Sequence, residues 1–139
     1  MHSEQVRSYN MSRVKSKNTK PELIVRKFLY SQGFRYKLHV KQLPGKPDIV
    51  LPKYKTVIFV NGCFWHGHEG CKYSTLPKTR TAWWDEKIKK TIARDNINKH
   101  SLLKRGWAVI TFWACGLKIK EKRTQLLDQL INTIKQKIG

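Results

Sequence analysis

A loop crowded with potential metal ligands follows the most apolar stretch of the chain. This loop, residues 61–71, holds two of the three cysteines and two of the five histidines. It comes directly after Val57-Ile58-Phe59-Val60, an apolar run typical of a central strand buried on both faces. A loop of this kind has no apolar core of its own, and a bound ion is one way to fix its conformation. We therefore expect the fold to hold this loop at the end of a buried strand.

The cysteines and histidines of the loop have a spacing suited to zinc. Cys63 and Cys71 flank His66 and His68, and Cys115 follows a later predicted strand. Zn²⁺ takes about four thiolate or imidazole ligands at tetrahedral angles, and an odd cysteine count argues against a disulfide framework. Spacing alone leaves open which histidine is the ligand, and buried free cysteines beside unrelated histidines are the alternative. A closed site of this kind would be structural, so hydrolysis would need a separate centre.

The charge of the chain points to a polyanionic partner. It carries 29 Lys and Arg against 9 Asp and Glu, a formal charge of +20 spread along the whole sequence. Nucleic acid is the expected partner, with a solvated basic surface as the alternative. No apolar run approaches the ~20 residues of a membrane span, and the N-terminus lacks the apolar core of a signal peptide. We therefore expect a cytoplasmic, nucleoid-associated protein that acts as a monomer and does not contact membranes.

The predicted elements alternate between helices and strands. Thr19-Lys20-Pro21-Glu22 is a helix start, because Thr19 can cap and Pro21 is tolerated in the first turn. The predicted elements are a helix ending near residue 33, strands at 34–40, 48–51, 56–60 and 107–112, a helix at 82–104, and a C-terminal amphipathic helix reaching Ile138. The strands at 48–51 and 56–60 are joined by a tight turn and should pair antiparallel.

This order predicts one α/β domain, residues 19–139, with a small mixed β-sheet flanked by helices. The chain has 139 residues, enough for a single hydrophobic core. Residues 1–18 form a basic N-terminal arm, which either contacts phosphates or is a disordered tail of no function.

Asp48 is the candidate for a second metal site. It opens a strand beside the buried strand that leads into the Cys-His loop. A carboxylate there can hold Mg²⁺, which prefers oxygen ligands and keeps several waters. Such an ion would stabilise charge on a phosphate and lower the pKa of an attacking water. The alternatives are an Asp48 that merely ends a turn and a Glu22 that merely caps its helix.

Three longer motifs are distinctive: Pro44-Gly45-Lys46-Pro47-Asp48, the run Val57–His66 with its Gly62-Cys63-Phe64-Trp65-His66 segment, and Thr79-Arg80-Thr81 with Trp84. Together they resemble the very short patch repair (Vsr) DNA mismatch endonuclease family. The similarity runs from about Tyr9 to Lys118. It implies a restriction-endonuclease-like core with a structural zinc site and a Mg²⁺-dependent activity. That activity is nicking of double-stranded DNA 5′ to the thymine of a T·G mismatch, which starts very short patch repair, with mismatch-repair proteins as candidate partners.

The resemblance also implies roles for individual residues. Asp48 and the backbone carbonyl of Val60 would bind Mg²⁺, Glu22 would lie near metal-bound water, and His66 would be the catalytic histidine. The implied zinc ligands are Cys63, His68, Cys71 and Cys115. The implied DNA contacts are the wedge residues Phe64, Trp65 and Trp84, together with Lys87 and Met11. For Phe64 and Trp65, local core packing is the alternative to insertion into the base stack.

The sequence also departs from the family pattern. Asn61 stands where a histidine can occur, which removes one possible proton donor for the leaving group at this catalytic position. Thr91 stands where an asparagine could read the mispaired base, and the segment between His68 and Cys71 is one residue longer. Two other functions stay open, a nuclease of the same fold with a different DNA preference and a zinc-stapled DNA-binding module without catalysis. Asp48 and His66 together favour an enzyme.

Overall fold

A four-stranded β-sheet organises residues 18–136, which are the residues that the computed structural model of the chain describes. The elements, in chain order, are α1 (Lys20–Ser31), β1 (Lys37–Leu38), β2 (Ile49–Leu51), β3 (Thr56–Asn61), α2 (Thr81–Lys104), β4 (Ala108–Trp113) and α3 (Lys120–Lys135). The predicted α/β class is confirmed. Most of the basic arm, Met11 within it, and Ile138 lie outside the described residues.

The sheet is mixed, as predicted. Its spatial order is β1-β2-β3-β4, with β1-β2 and β2-β3 antiparallel and β3-β4 parallel. Parallel neighbours need a long crossover connection, and α2 lies within it. The apolar run predicted as a central strand is β3, which has strand neighbours on both sides. Its last residue, Asn61, is paired in register with Trp113 of β4.

Two apolar cores cover the two faces of the sheet. Side chains alternate along a strand, so Ile49 and Ile58 pack in the larger core with α1 and α3. Val50 and Val57 face the opposite side, where Leu102 of α2 packs against them. The sheet is therefore a layer between helices. Packing on both faces and pairing with β4 hold the end of β3, and with it the start of the following loop. None of the helices within residues 18–136 is long and apolar enough to cross a membrane.

The start of α1 is confirmed in detail. Thr19 Oγ1 accepts a hydrogen bond from the backbone N–H of Glu22 at 3.3 Å, as an N-cap residue should. The Glu22 carboxylate does not return to Thr19. Its Oε2 accepts instead from the backbone N–H of Asn18 at 3.2 Å, which leaves Oε1 for another partner.

The strand predicted at residues 34–40 was too long. Only Lys37 and Leu38 are in strand conformation, paired with Val50 and Ile49. Two features limit it: β2 is three residues long, and His39 has a positive φ of 48°, which turns the chain out of the extended conformation. The backbone N–H of His39 still donates to the carbonyl oxygen of Asp48 at 3.0 Å.

Candidate active site and candidate zinc centre

A cavity of about 530 Å³ lies at the carboxyl end of β3. Its lining includes Asp48, Val60, Asn61, Trp65 and His66. The end of β3 and the loop after it supply four of these residues, and Asp48 reaches the same place from the start of the neighbouring strand. The structure therefore brings three predicted catalytic residues, Asp48, Asn61 and His66, to one cavity.

Asp48 is a partly desolvated carboxylate anchored to β3. Its Oδ2 accepts a hydrogen bond from the backbone N–H of Val60 at 2.7 Å, so the two residues predicted to bind Mg²⁺ are in direct contact. The pKa of Asp48 is raised to about 6, mainly by burial and also by the nearby Glu22 carboxylate, against the opposing effects of the Val60 N–H, His39 and His66. Two negative carboxylates at a partly buried position repel each other and are poorly solvated, and a divalent cation would offset this free-energy cost. The residues therefore fit a hard metal ion.

Glu22 comes to Asp48 from the first turn of α1. It is almost fully buried, with 1% of its surface exposed. Its Oε2 lies 3.0 Å from Arg26 Nη1, and its Oε1 lies 2.9 Å from His39 Nε2. The side-chain donor atoms of Glu22, His39 and Asp48 all lie within 4.8 Å of one another, so the two carboxylates are close enough to share an ion and His39 lies beside them. The sequence analysis missed His39, because it occupied a polar position in a segment predicted to be a strand.

His66 is held by an aspartate that the sequence analysis also missed. Its Nδ1 lies 2.7 Å from Asp95 Oδ2, on the fourth turn of α2. A carboxylate on Nδ1 selects the tautomer with a proton on that nitrogen and leaves Nε2 as the nitrogen able to accept a proton. No local motif marks Asp95, since it is one of several charged residues on a largely exposed helix. Only the contact between the loop and α2 identifies it.

Gly67 separates the two histidines of the loop and allows close contact with α2. Its φ is +61°, and a Cβ added there would lie 2.6 Å from Ile88 Cγ2 and 2.7 Å from Ile92 Cδ1. A side chain at this position would therefore push the loop away from the helix. The tight turn at Gly67 places His66 beside Asp95 and the cavity, and directs His68 to a different cluster.

That cluster contains the four residues predicted to bind zinc. Donor atoms of Cys63, His68, Cys71 and Cys115 all lie within 4.8 Å of one another, and His66 is not among them. The His68 Nδ1 is 3.4 Å from Cys115 Sγ. All three cysteines are free thiols. Three sulfurs and one imidazole nitrogen form a donor set suited to Zn²⁺ rather than Mg²⁺.

The surroundings of the cluster hold the ligands in place. The His68 ring stacks on Trp113 of β4, with centroids 4.1 Å apart and planes at 7°. The backbone N–H of His68 donates to the carbonyl of Cys63 at 2.9 Å, and Ser74 Oγ donates to the carbonyl of His68 at 2.6 Å. Burial raises the pKa of Cys63 to about 11. Binding of a metal to this thiol would therefore release a proton.

The predicted wedge residues form a third apolar cluster beside the cavity. Phe64 and Trp84 are 8% and 6% exposed, and Trp65 packs against both with centroid separations of 5.2 and 5.8 Å. Lys87 Nζ lies 5.0–5.9 Å from the rings of Trp65, Trp83 and Trp84. Trp83, which the sequence analysis did not single out, is 43% exposed. The cluster thus shows a partly buried aromatic surface with Lys87 above it, and insertion into DNA remains a prediction.

Comparison with known proteins identifies the family. The family model described as DNA mismatch endonuclease Vsr matches residues 1–72, just over half of the chain. The Type II nicking enzyme V.NmeAIP of Neisseria meningitidis is 49% identical over 132 residues, which cover 95% of this chain and 94% of that protein. The chain belongs to the Vsr family.

Other relatives agree with this assignment. The Type II nicking enzyme V.XorIIP of Xanthomonas oryzae is 50% identical over 115 residues, covering 83% of this chain and 84% of that protein. The DNA mismatch endonuclease Vsr of Escherichia coli is 39% identical over 124 residues, covering 89% of this chain and 79% of that protein. The predicted enzyme class, an endonuclease, is therefore confirmed for this member of the Vsr family.

Proposed function

We propose that this protein is a Mg²⁺-dependent endonuclease that nicks one DNA strand 5′ to the thymine of a T·G mismatch and so starts very short patch repair. The observation that carries the hydrolytic part of this proposal is the shared cavity at the end of β3, whereas the T·G preference and the position of the nick rest on the resemblance to the Vsr family. It joins Asp48, next to the Glu22 carboxylate, with His66, whose ring is oriented by Asp95. A carboxylate placed to bind a metal ion and an oriented base at one cavity are together able to catalyse phosphodiester hydrolysis.

Asp48, with Glu22 behind it and the backbone of Val60 beside it, would hold the Mg²⁺ ion. When bound, the ion stabilises charge on the phosphate and lowers the pKa of a coordinated water. His66 would accept a proton at Nε2, since its Nδ1 is held by Asp95. Asn61 lies at the same cavity and can donate a hydrogen bond to the leaving oxygen. An amide is not an acid, however, so Asn61 affects the rate of leaving-group departure rather than the type of reaction.

The cluster of Cys63, His68, Cys71 and Cys115 would hold a structural Zn²⁺. Four protein ligands complete a tetrahedral sphere and leave no position for a reacting water. The ion would connect the loop after β3 to the turn after β4, because Cys115 belongs to the short 3₁₀ turn Ala114–Leu117. It would thereby fix the His66 backbone next to the cavity without joining the chemistry.

DNA would lie across the cavity and the aromatic cluster. The charge of +20 favours phosphate binding. Lys87 of α2 and Met11 of the basic arm would be further DNA contacts. Insertion of Phe64, Trp65 and Trp84 would cost a few kcal/mol per unstacked base step, and less at a mismatch. Because Phe64 and Trp84 are buried, we propose that their cluster opens on binding, so that the wedge forms only where the duplex is weak.

The proposal extends to the domain organisation, oligomeric state, location and partners of the protein. We propose that residues 19–139 are a single restriction-endonuclease-like domain and that residues 1–18 are a phosphate-contacting arm. We expect a monomer in the cytoplasm, associated with the nucleoid and cooperating with mismatch-repair proteins.

A nicking assay on end-labelled duplexes tests the proposal. The panel contains a T·G mismatch, other mismatches and a perfect pair, each with Mg²⁺ or in magnesium-free buffer. A strong chelator is left out because it would also remove zinc. We expect a nick only in the thymine strand of the T·G duplex and only with Mg²⁺. Equal cleavage of the perfect duplex would favour instead a nuclease of the same fold with another DNA preference.

A further inference from the structure

His39 contacts both acidic residues of the candidate metal centre. Its backbone N–H donates to the carbonyl oxygen of Asp48 at 3.0 Å, and its Nε2 lies 2.9 Å from Oε1 of Glu22. Glu22 belongs to α1 and Asp48 directly precedes β2, so the two carboxylates come from different parts of the fold. His39 is a bridge between them, with its backbone fixed to one and its side chain fixed to the other.

The backbone conformation of His39 carries an energetic cost. Its φ of +48° is in the left-handed region, which costs a non-glycine residue about 1 kcal/mol or more. Such a conformation persists only where the surroundings determine it. The side chain of His39 is 15% exposed and that of Glu22 is 2% exposed, so their contact is protected from water. The turn after β1 therefore places the imidazole against Glu22 at some conformational cost.

The other oxygen of Glu22 has its own partners. Arg26 Nη1 and the backbone N–H of Asn18 contact Oε2 at 3.0 and 3.2 Å. Without His39, these contacts would hold Oε2 alone, and Oε1 would lose its side-chain partner. An ionised carboxylate oxygen can accept more than one hydrogen bond. Oε1 can therefore contact His39 and still face an ion or a metal-bound water.

We infer that His39 is a positioning residue for the divalent cation: it orients Glu22 toward Asp48 and thereby sets the affinity of the centre for the metal. This inference rests on the proposed metal centre at Asp48. It assigns His39 an outer role, in which the imidazole acts through Glu22 and not as a ligand. Loss of an outer partner of a metal ligand typically costs about 10–100-fold in metal affinity or activity.

Two substitutions separate the imidazole from the backbone conformation. His39→Asn keeps a residue that tolerates a positive φ, but its side chain is too short to reach Glu22. His39→Gly removes the side chain and accepts the same φ at no steric cost. Lys55→Asn is the matched control, because Lys55 also has a positive φ of 50° but ends the 3₁₀ turn Pro52–Tyr54, outside the cavity. Equal zinc content and far-UV circular dichroism show that each variant is folded.

The measurement is binding of Mn²⁺ to zinc-loaded protein without DNA, followed by the electron paramagnetic resonance signal of free Mn²⁺. Competition of Mg²⁺ with bound Mn²⁺ gives the dissociation constant for Mg²⁺. We expect both dissociation constants to rise about 10–100-fold in His39→Asn and His39→Gly, and to be unchanged in Lys55→Asn. Affinities within twofold of wild type in both His39 variants would overturn the inference. A loss confined to Mn²⁺ would also overturn it, because a direct nitrogen ligand favours transition metals selectively.

Asp48→Asn in the same assay separates this inference from the proposed function. If Asp48→Asn loses Mn²⁺ binding while the His39 variants keep it, the metal centre stands and only the role of His39 is wrong. If Asp48→Asn binds Mn²⁺ as wild type does, the proposed metal centre itself fails.

Discussion

His66 and Asp95 form a hydrogen-bonded pair that joins the loop after β3 to α2. The His66 Nδ1 and Asp95 Oδ2 atoms are 2.7 Å apart, although the residues are 29 positions apart in the chain. Both side chains are about one-third exposed, so the pair lies near the surface rather than in the core, and His66 also lines the cavity. The pair explains how a histidine on an irregular loop can have a fixed orientation.

Asp95→Asn should slow nicking without weakening DNA binding. The amide can donate to Nδ1 and would then favour the tautomer that has its proton on Nε2, which cannot accept a proton from water. We expect the single-turnover rate to fall by about 10²–10⁴-fold, the range of general acid–base catalysis.

Asp85→Asn is the matched control for this experiment. Asp85 lies on the same helix and loses the same charge, but its Oδ2 pairs with Lys89 at 2.8 Å on the exposed surface. Equal rates for wild type, Asp85→Asn and Asp95→Asn would remove Asp95 from the proposed mechanism.

The two histidines of the loop should differ in their effect on zinc. His68→Asn should lose the ion, because His68 belongs to the Cys-His cluster, whereas His66→Asn should keep about one zinc per chain. Cys115→Ser should lose zinc and thermal stability together. Metal analysis of the purified variants, paired with thermal unfolding, measures both effects. A full zinc complement in His68→Asn would contradict the assigned ligand set.

Gly67→Ala should destabilise the protein through a clash with α2. Forcing a methyl group to within 2.6 Å of Ile88 is expected to cost about 1–3 kcal/mol in the free energy of unfolding. Gly70→Ala is the control, since Gly70 also has a positive φ of 72° but a Cβ there meets nothing within 4 Å. Chemical denaturation of both variants isolates the clash from the backbone strain. Equal losses in the two variants would show that loop contact with α2 is unimportant.

Asp48 should make the stability of the magnesium-free protein depend on pH. Burial raises its pKa from the ordinary value of 3.8 to about 6. Below about pH 4, Asp48 is protonated in both the folded and the unfolded protein and does not lower the free energy of unfolding. As the pH rises through 6, the free energy of unfolding falls by up to about 3 kcal/mol, because the buried group must ionise in the folded protein. Asp48→Asn removes this ionisation, so it should be more stable than wild type at pH 8 and similar at pH 4. Denaturation curves at the two pH values test this, and a constant difference between the proteins would contradict it.

The sequence predicted the repetitive parts of this fold well, because periodicity and capping are local signals. The helix start at Thr19 and the central strand β3 follow from residue types that lie side by side. The short β1 could not be predicted in the same way. Its length depends on the positive φ of His39 and on the three residues of β2, and neither is visible in the alternation of apolar and polar residues.

The candidate site likewise contains residues that local motifs predict and residues that only the fold reveals. Asp48, His66 and the cysteines are marked by dense local motifs. Spacing did not decide between His66 and His68 as the member of the Cys-His cluster; the structure does, through the turn at Gly67. Asp95 and His39 carry no motif. They belong to the site through contacts between distant segments, which a single sequence does not reveal.

The most direct test of the proposed function is single-turnover nicking of a 5′-labelled T·G duplex by wild type and Asp48→Asn across a Mg²⁺ titration. Wild type should give one product, ending immediately before the thymine, at a rate that rises with Mg²⁺. Asp48→Asn should bind the same duplex within about threefold of wild type, but nick it more than about 10³-fold more slowly, since the charge stabilisation that a metal ion supplies is worth several kcal/mol. Nicking by Asp48→Asn at the wild-type rate would contradict the account.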